Sequence, residues 1–288
     1  VATGCATFGR LAYDNLTTLA TWRADSYLSM TSEQRALAGQ RIETLHAWHR
    51  RTQLDDYVGF LEQIRARVAA GDVDEAQIRR WRVEAFQRWR PIAEQAAPAV
   101  VEVAATLGPA QLSRLRDEMR RDNDRIRRDW MPQGAADRIQ ARTRRYVDRA
   151  EFLLGSLTAE QKQLARRFAA EAGNAEDAWY AQRVGRQQDL LALMERIRTE
   201  RPEPSVATAW MREHLHRYAP APEGGDRFVA SSLAAGDAFT AQVFATATPT
   251  QRQHLLAKLQ DWIDLLQSLR PSGTASRGGV VALPAGSH

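Results

Sequence analysis

The sequence predicts an all-α protein, an irregular array of about ten helices packed as antiparallel hairpins. Three observations predict it. Apolar residues recur at three- and four-residue steps almost throughout, and no stretch alternates with the period of two that a half-buried strand needs. In addition, four similar helix starts punctuate the chain: Met30-Thr31-Ser32-Glu33-Gln34, Leu107-Gly108-Pro109-Ala110-Gln111, Leu157-Thr158-Ala159-Glu160-Gln161 and Ala247-Thr248-Pro249-Thr250-Gln251. A threonine at the N-cap accepts the N3 backbone N–H, and a glutamine three residues later reaches back to the cap's own N–H. Pro109 and Pro249 fall in the first turn, where the missing N–H had no intrahelical partner to lose. The four starts are separated by 77, 50 and 90 residues, so they do not make a solenoid, which keeps a fixed period.

Each element has its own local reason. Thr31 caps a helix over 32–53. In the next, Leu54, Tyr57, Val58, Leu61, Ile64 and Val68 share one face, and Gly71 ends it by accepting a left-handed cap. Ile78, Trp81, Ala85, Phe86 and Trp89 share a face after an acidic start suited to the helix dipole, and Pro91 and Pro98 are expected to kink or break the chain there. Further helices follow over 109–130, 133–154, 158–172, 175–201, 205–218, 226–245 and 249–269. The breaks at 130–134, 201–205 and 219–226 are too short for flexible linkers. Residues 6–270 are therefore expected to form a single all-α domain, and the aperiodic residues 271–288 a disordered tail.

The 288 residues are 44% hydrophobic and carry a formal charge of +5, without an apolar run approaching the ~18 residues of a membrane span. The basic residues are nearly all arginine, with Lys162 and Lys258 the exceptions, and acids are interleaved with them. Asp117 and Asp124 each lie four residues before an arginine, a spacing that makes solvated, salt-bridged helix faces and not a phosphate-binding one. No nucleic acid is expected as a partner.

Catalytic signatures are absent: there is no HExxH, no glycine-rich phosphate loop and no Gly-x-Ser-x-Gly elbow. No catalytic residue, metal or cofactor is assigned. His46 and His49 share a helix face, with Glu43 three residues before His46, so a metal-dependent enzyme is the alternative; the charges of Arg50 and Arg51 beside them disfavour a cation. Eight tryptophans are many for this length. Trp81 and Trp89, spaced with Phe86, suit core ridges, whereas any ring left exposed beside an arginine makes a surface for flexible chains. Trp48, His49, Arg50, Trp81 and Trp89 are the candidate partner-binding residues.

The one cysteine, Cys5, follows Ala2, Thr3 and Gly4, as small residues precede the acylated cysteine of a bacterial lipoprotein. Residues 1–5 are read as a signal remnant with Cys5 as the lipidation site, and the segment up to about Tyr13 as a tether. Cys5, Tyr13, Leu19, Trp22, Asp25, Tyr27, Gln34, Trp48, His49, Arg50, Leu54 and Tyr57 together resemble a Gram-negative, proteobacterial lipoprotein family of unknown function. That resemblance covers about the first 65 residues and implies a lipid-anchored protein facing the periplasm; Ala6 after the cysteine favours the outer membrane. The four helix starts also resemble, more faintly, the LTxxQ motif of Spy-like periplasmic chaperones, from which Gly108 and Ala247 depart. Together these imply a binding, scaffold or chaperone-like protein of the cell envelope, with the membrane and an envelope protein as partners.

Overall fold

The computed structural model describes residues 9–132, 134–173, 175–217 and 227–271. Among them are twelve helices packed against one another: α1 (Leu16–Leu28), α2 (Ser32–Thr52), α3 (Leu54–Ala70), α4 (Glu75–Gln87), α5 (Trp89–Ala105), α6 (Pro109–Trp130), α7 (Ala135–Leu154), α8 (Ala159–Glu171), α9 (Ala175–Glu200), α10 (Pro204–Arg217), α11 (Arg227–Ala245) and α12 (Pro249–Ser268). The described residues contain no strand, and none of these helices is long and apolar enough to cross a membrane. Cys5 and the tail from residue 272 lie outside the described residues.

Two helices exceed the sequence reading. α1 occupies residues that periodicity did not mark as helical, where only the family resemblance implied a Tyr- and Leu-rich helix, and helical backbone already begins at Gly9. The segment read as a tether is docked at its end, since Tyr13 Oη lies 2.9 Å from His49 Nδ1. The second is α5. The chain bends at Arg88, Pro91 falls in the first turn, and the helix continues through Pro98. Tertiary packing accounts for the tolerated proline: Ala97 and Val101 are buried against Ala207 and Met211 of α10, and that burial offsets the backbone hydrogen bond lost at Pro98.

The capping boxes form as the spacing requires. Gln34, Gln161 and Gln251 each donate a backbone N–H to the threonine three residues earlier, at 3.2 Å, and accept that threonine's N–H at 2.9–3.0 Å. Gly108 has no side chain, so only half of its box exists, the Gly108 N–H meeting Gln111 Oε1 at 2.9 Å.

The four glutamines also pair across the fold. Gln34 and Gln111 exchange amide hydrogen bonds of 3.1 and 2.7 Å, and Gln161 and Gln251 exchange bonds of 3.0 and 2.9 Å. The remaining amide hydrogens bind the carbonyls of Thr106, Leu28 and Ser29 in the first pair, and of Thr246 and Ser156 in the second. Each pair thus ties two helix starts to the ends of the two helices preceding them.

The pairing divides the twelve helices into two sets of six, α1–α6 and α7–α12, that match element by element. α1 packs on α2 and α6, as α7 packs on α8 and α12; α2 meets α5, as α8 meets α11. The middle hairpins cross over. α3 packs on α12 and α4 on α11, while α9 packs on α6 and α10 on α5. Arg82 of α4 clasps Asp237 of α11 at 2.7–3.1 Å, and Arg212 of α10 reaches Glu94 of α5 at 2.8 Å, so each crossing carries an ion pair. One core holds Leu28, Met30, Ala38 and Leu115 with Met194 of α9. The other holds Leu154, Leu157, Ala165 and Leu255 with Val68 of α3. The first four of each occupy corresponding places around the glutamine pairs. Because each core borrows a helix from the other set, cutting the chain between the sets would expose apolar faces on both sides.

Candidate functional site

The residues singled out from the sequence come together in part. On α2, His49 accepts or donates a hydrogen bond with Tyr13 Oη, and its ring lies 5.4 Å from that of Tyr57 on α3. His46 meets Tyr13 edge-on at 4.6 Å. Arg50 pairs with Asp14 and lies over the Tyr13 ring at 5.2 Å. Tyr13, 36 residues before His49, therefore forms one half-buried cluster with His49, Arg50 and Tyr57. Burial pushes the His46 and His49 rings below the ordinary imidazole value; the charge of Arg50 adds to this at His46, and His46 adds to it at His49. Neutral rings locked to tyrosines make a joint between the start of the chain, α2 and α3.

The metal alternative gains nothing from this arrangement. Glu43 is exposed, His49 Nδ1 is committed to Tyr13, and no group of three potential ligands converges among the described residues. Trp48 is half-buried on α2 beside this cluster. Trp81 is half-buried against the second core. Trp89, at the bend between α4 and α5, is 41% exposed.

A more developed surface lies where α6, α7 and α9 meet. Trp130 at the end of α6 stacks on Trp179 in α9, with centroids 5.8 Å apart and planes inclined by 13°, and both rings stay about two-fifths exposed. Arg145 of α7 lies over Trp130 at 5.3 Å, and Arg127 over the neighbouring Tyr180 at 5.1 Å. Local chemistry explains why α9 sits there. Its first turn carries Glu176 and Asp177, which suit a helix N-terminus. Asp177 meets Arg138 at 2.8 Å, and Glu176 is gripped by the buried Arg142 and by Arg145 at 2.7 Å. Arg142 also donates to the carbonyls of Ala169 and Gly173, joining the end of α8 to the start of α9. Burial pushes the Glu176 carboxyl up, but the hydrogen bond from Arg142 and the charges of Arg142 and Arg145 outweigh it and hold the group below the ordinary carboxylate value. Arg145 is thus fixed by an ionised Glu176 while its plane covers an exposed indole.

A smaller platform of the same kind stands on α7 and α12, where Phe152, 58% exposed, lies 6.1 Å from Trp262 with the Lys258 ammonium 3.4 Å above its ring. Sequence periodicity missed both. Trp130 and Trp179 belong to different helices, and neither lies on a face whose spacing marks it. The one available signal was their position beside turn residues and arginines.

Two apolar grooves also open on the surface, in addition to a more polar one of about 280 Å³ between α9 and α10. One, of about 250 Å³, lies between α1, α2 and α5 with Met194 of α9, and has Arg41 as its single charged lining residue. The other, of about 150 Å³, lies between α7 and α11.

A family model matches residues 26–217, two thirds of the chain, spanning the end of α1 through α10 and therefore the Trp130–Trp179 platform and the larger groove. No curated protein and no solved structure matches the chain. On the extent of that match, the chain belongs to DUF6279, a family of unknown function.

Proposed function

We propose that this protein works by binding: anchored through a lipid on Cys5 and facing the periplasm, it holds flexible segments of envelope polypeptides on its cation-covered aromatic platforms. The observation that carries this reading is the Trp130–Trp179 stack under Arg145. Exposed indoles bury much apolar area on contact, and a guanidinium already held by Glu176 loses little further freedom when it meets a carboxylate. The preferred occupant is an extended acidic segment with aromatic side chains. Rings extend the stack, and carboxylates meet Arg127, Arg145 and the net positive charge. The two-set architecture supports the same reading, because its crossed hairpins give a stiff support for surface side chains instead of a hinge around a reaction centre.

The test is binding of a labelled, unstructured peptide of alternating Glu and Phe, followed by anisotropy. The Trp130→Ala, Trp179→Ala double variant is expected to weaken binding at least tenfold and to abolish suppression of aggregation of a denatured acidic client, with an unchanged helical spectrum. Equal binding by the double variant would overturn the proposal.

A further inference from the structure

The two matching sets of helices allow one groove to be read against the other. Placing Gly108 on Thr248, a step of 140 residues, puts Ala96, Ala99, Val100, Val103 and Ala104 of α5 onto Gly236, Phe239, Thr240, Val243 and Phe244 of α11. All five of the first group line the larger groove, and all five of the second line the smaller one. The grooves are therefore equivalent places in the fold with different contents.

In the α7–α12 set, aromatic rings narrow the space to about 150 Å³. Phe239 stacks on Tyr146 at 4.9 Å and meets Phe168 edge-on at 5.4 Å. In the α1–α6 set, Ala99 and Ala104 stand in place of Phe239 and Phe244; matching the helix ends Leu28 and Leu154 puts Ala20 in place of Tyr146, and matching the caps Thr31 and Thr158 puts Arg41 in place of Phe168. The same fold thus accepts four aromatic rings here, and in the α1–α6 set carries three methyl groups and the Arg41 side chain instead. Void that close packing could have filled is costly to leave open, because the lining atoms lose their dispersion partners.

Shape and charge identify the occupant. Along α5 the lining runs from Ala96 to Ala104, eight helical steps or ~12 Å, and continues to Leu107 just past the helix end. An aliphatic groove of that length and of about 250 Å³ matches an unbranched alkyl chain. Its lining is aliphatic apart from Arg41, which meets Glu102 through Nε at 2.6 Å; its Nη groups make no hydrogen bond among the described residues. Those donors suit a carboxylate, which guanidinium binds through paired N–H groups.

We propose that the groove between α1, α2 and α5 binds a single medium- or long-chain fatty-acid anion, its chain lying along Ala96, Ala99 and Val103 and its carboxylate on Arg41. This site is separate from the Trp130–Trp179 platform, so either proposal can fail alone.

The experiment is titration of the full 288-residue chain with sodium dodecanoate and, separately, with dodecanol, both as monomers, followed by calorimetry and thermal melting. Wild type is expected to bind one dodecanoate per chain and to melt higher with it. Ala99→Phe, which installs the ring found at the equivalent position, is expected to melt no lower than wild type without ligand and to bind dodecanoate at least tenfold more weakly. Ala96→Leu serves as a second, smaller filling should the phenylalanine disturb folding. Arg41→Gln is expected to weaken dodecanoate several-fold and to leave dodecanol unchanged. Absence of saturable binding by wild type, or equal binding by two folded, filled variants, would overturn the site; equal loss of dodecanoate and dodecanol in Arg41→Gln would overturn the assignment of the head group.

Discussion

Replacing Gln161 by alanine tests whether the paired capping boxes hold the fold together or merely start helices. Gln161 is fully buried and satisfied: its Oε1 accepts from Thr158 N at 2.9 Å and from Gln251 Nε2 at 2.9 Å, and its Nε2 donates to Thr246 O at 3.2 Å and Gln251 Oε1 at 3.0 Å. A cap alone is worth about 1 kcal/mol. Alanine also removes the two bonds to Gln251, which is 4% exposed, and the one to Thr246, leaving groups that water reaches poorly. At ~1 kcal/mol for each lost bond, and more for each group left unsatisfied, the expected destabilisation is about 3–5 kcal/mol. Gln34→Ala removes the same kinds of bond, but its partner Gln111 is only half-buried and water can replace the amide, so about 1–2 kcal/mol is expected. Urea unfolding followed by circular dichroism reads both. A Gln161→Ala, Gln251→Ala cycle should show coupling of ~1–3 kcal/mol, since the pair shares a buried network. Additive single effects, or a Gln34→Ala cost equal to that of Gln161→Ala, would refute the reasoning.

Three further outcomes are expected. Arg142→Met leaves the largely buried Glu176, its side chain 11% exposed, with Arg145 alone and two carbonyls without their donor, and should destabilise by about 3–5 kcal/mol at neutral pH. Glu176 is depressed in the native state, so its contribution is present above the unfolded value of ~4.3 and lost as pH falls through the folded value; the deficit of the variant should narrow in acid unfolding curves. His46, His49 and His214 are likewise depressed, chiefly by burial, so the native state binds fewer protons than the unfolded chain below pH ~6.5, and stability should fall as pH drops through that window. His49→Gln, which retains an oxygen for Tyr13 Oη, should make that fall shallower in melting temperatures measured across the window, and an unchanged slope would count against it. Cys5→Ser, which removes the thiol nucleophile, is expected to abolish membrane fractionation without changing the melting temperature; retention on membranes in high salt would remove the lipid anchor from the proposal.

Helix type, the capped starts and the all-α class were legible in the residues because the interactions that set them close within four residues. Thr158 and Gln161 satisfy each other's backbone wherever the rest of the chain lies. The same reasoning misjudged Pro98, whose cost within a helix is local but whose tolerance comes from α10 packed alongside. The second half of each glutamine amide finds its partner 77 or 90 residues away, and no local spacing distinguishes Gln161–Gln251 from Gln161–Gln111. The crossing of α3–α4 and α9–α10, the meeting of Trp130 with Trp179, and the difference between an alanine-lined groove and a phenylalanine-narrowed one also depend on distant contacts. Sequence by itself determined where the capped helices begin and which faces they must bury; tertiary structure decided which buried faces meet, because apolar attraction carries no direction and only shape, volume and the last unpaired amide choose among partners.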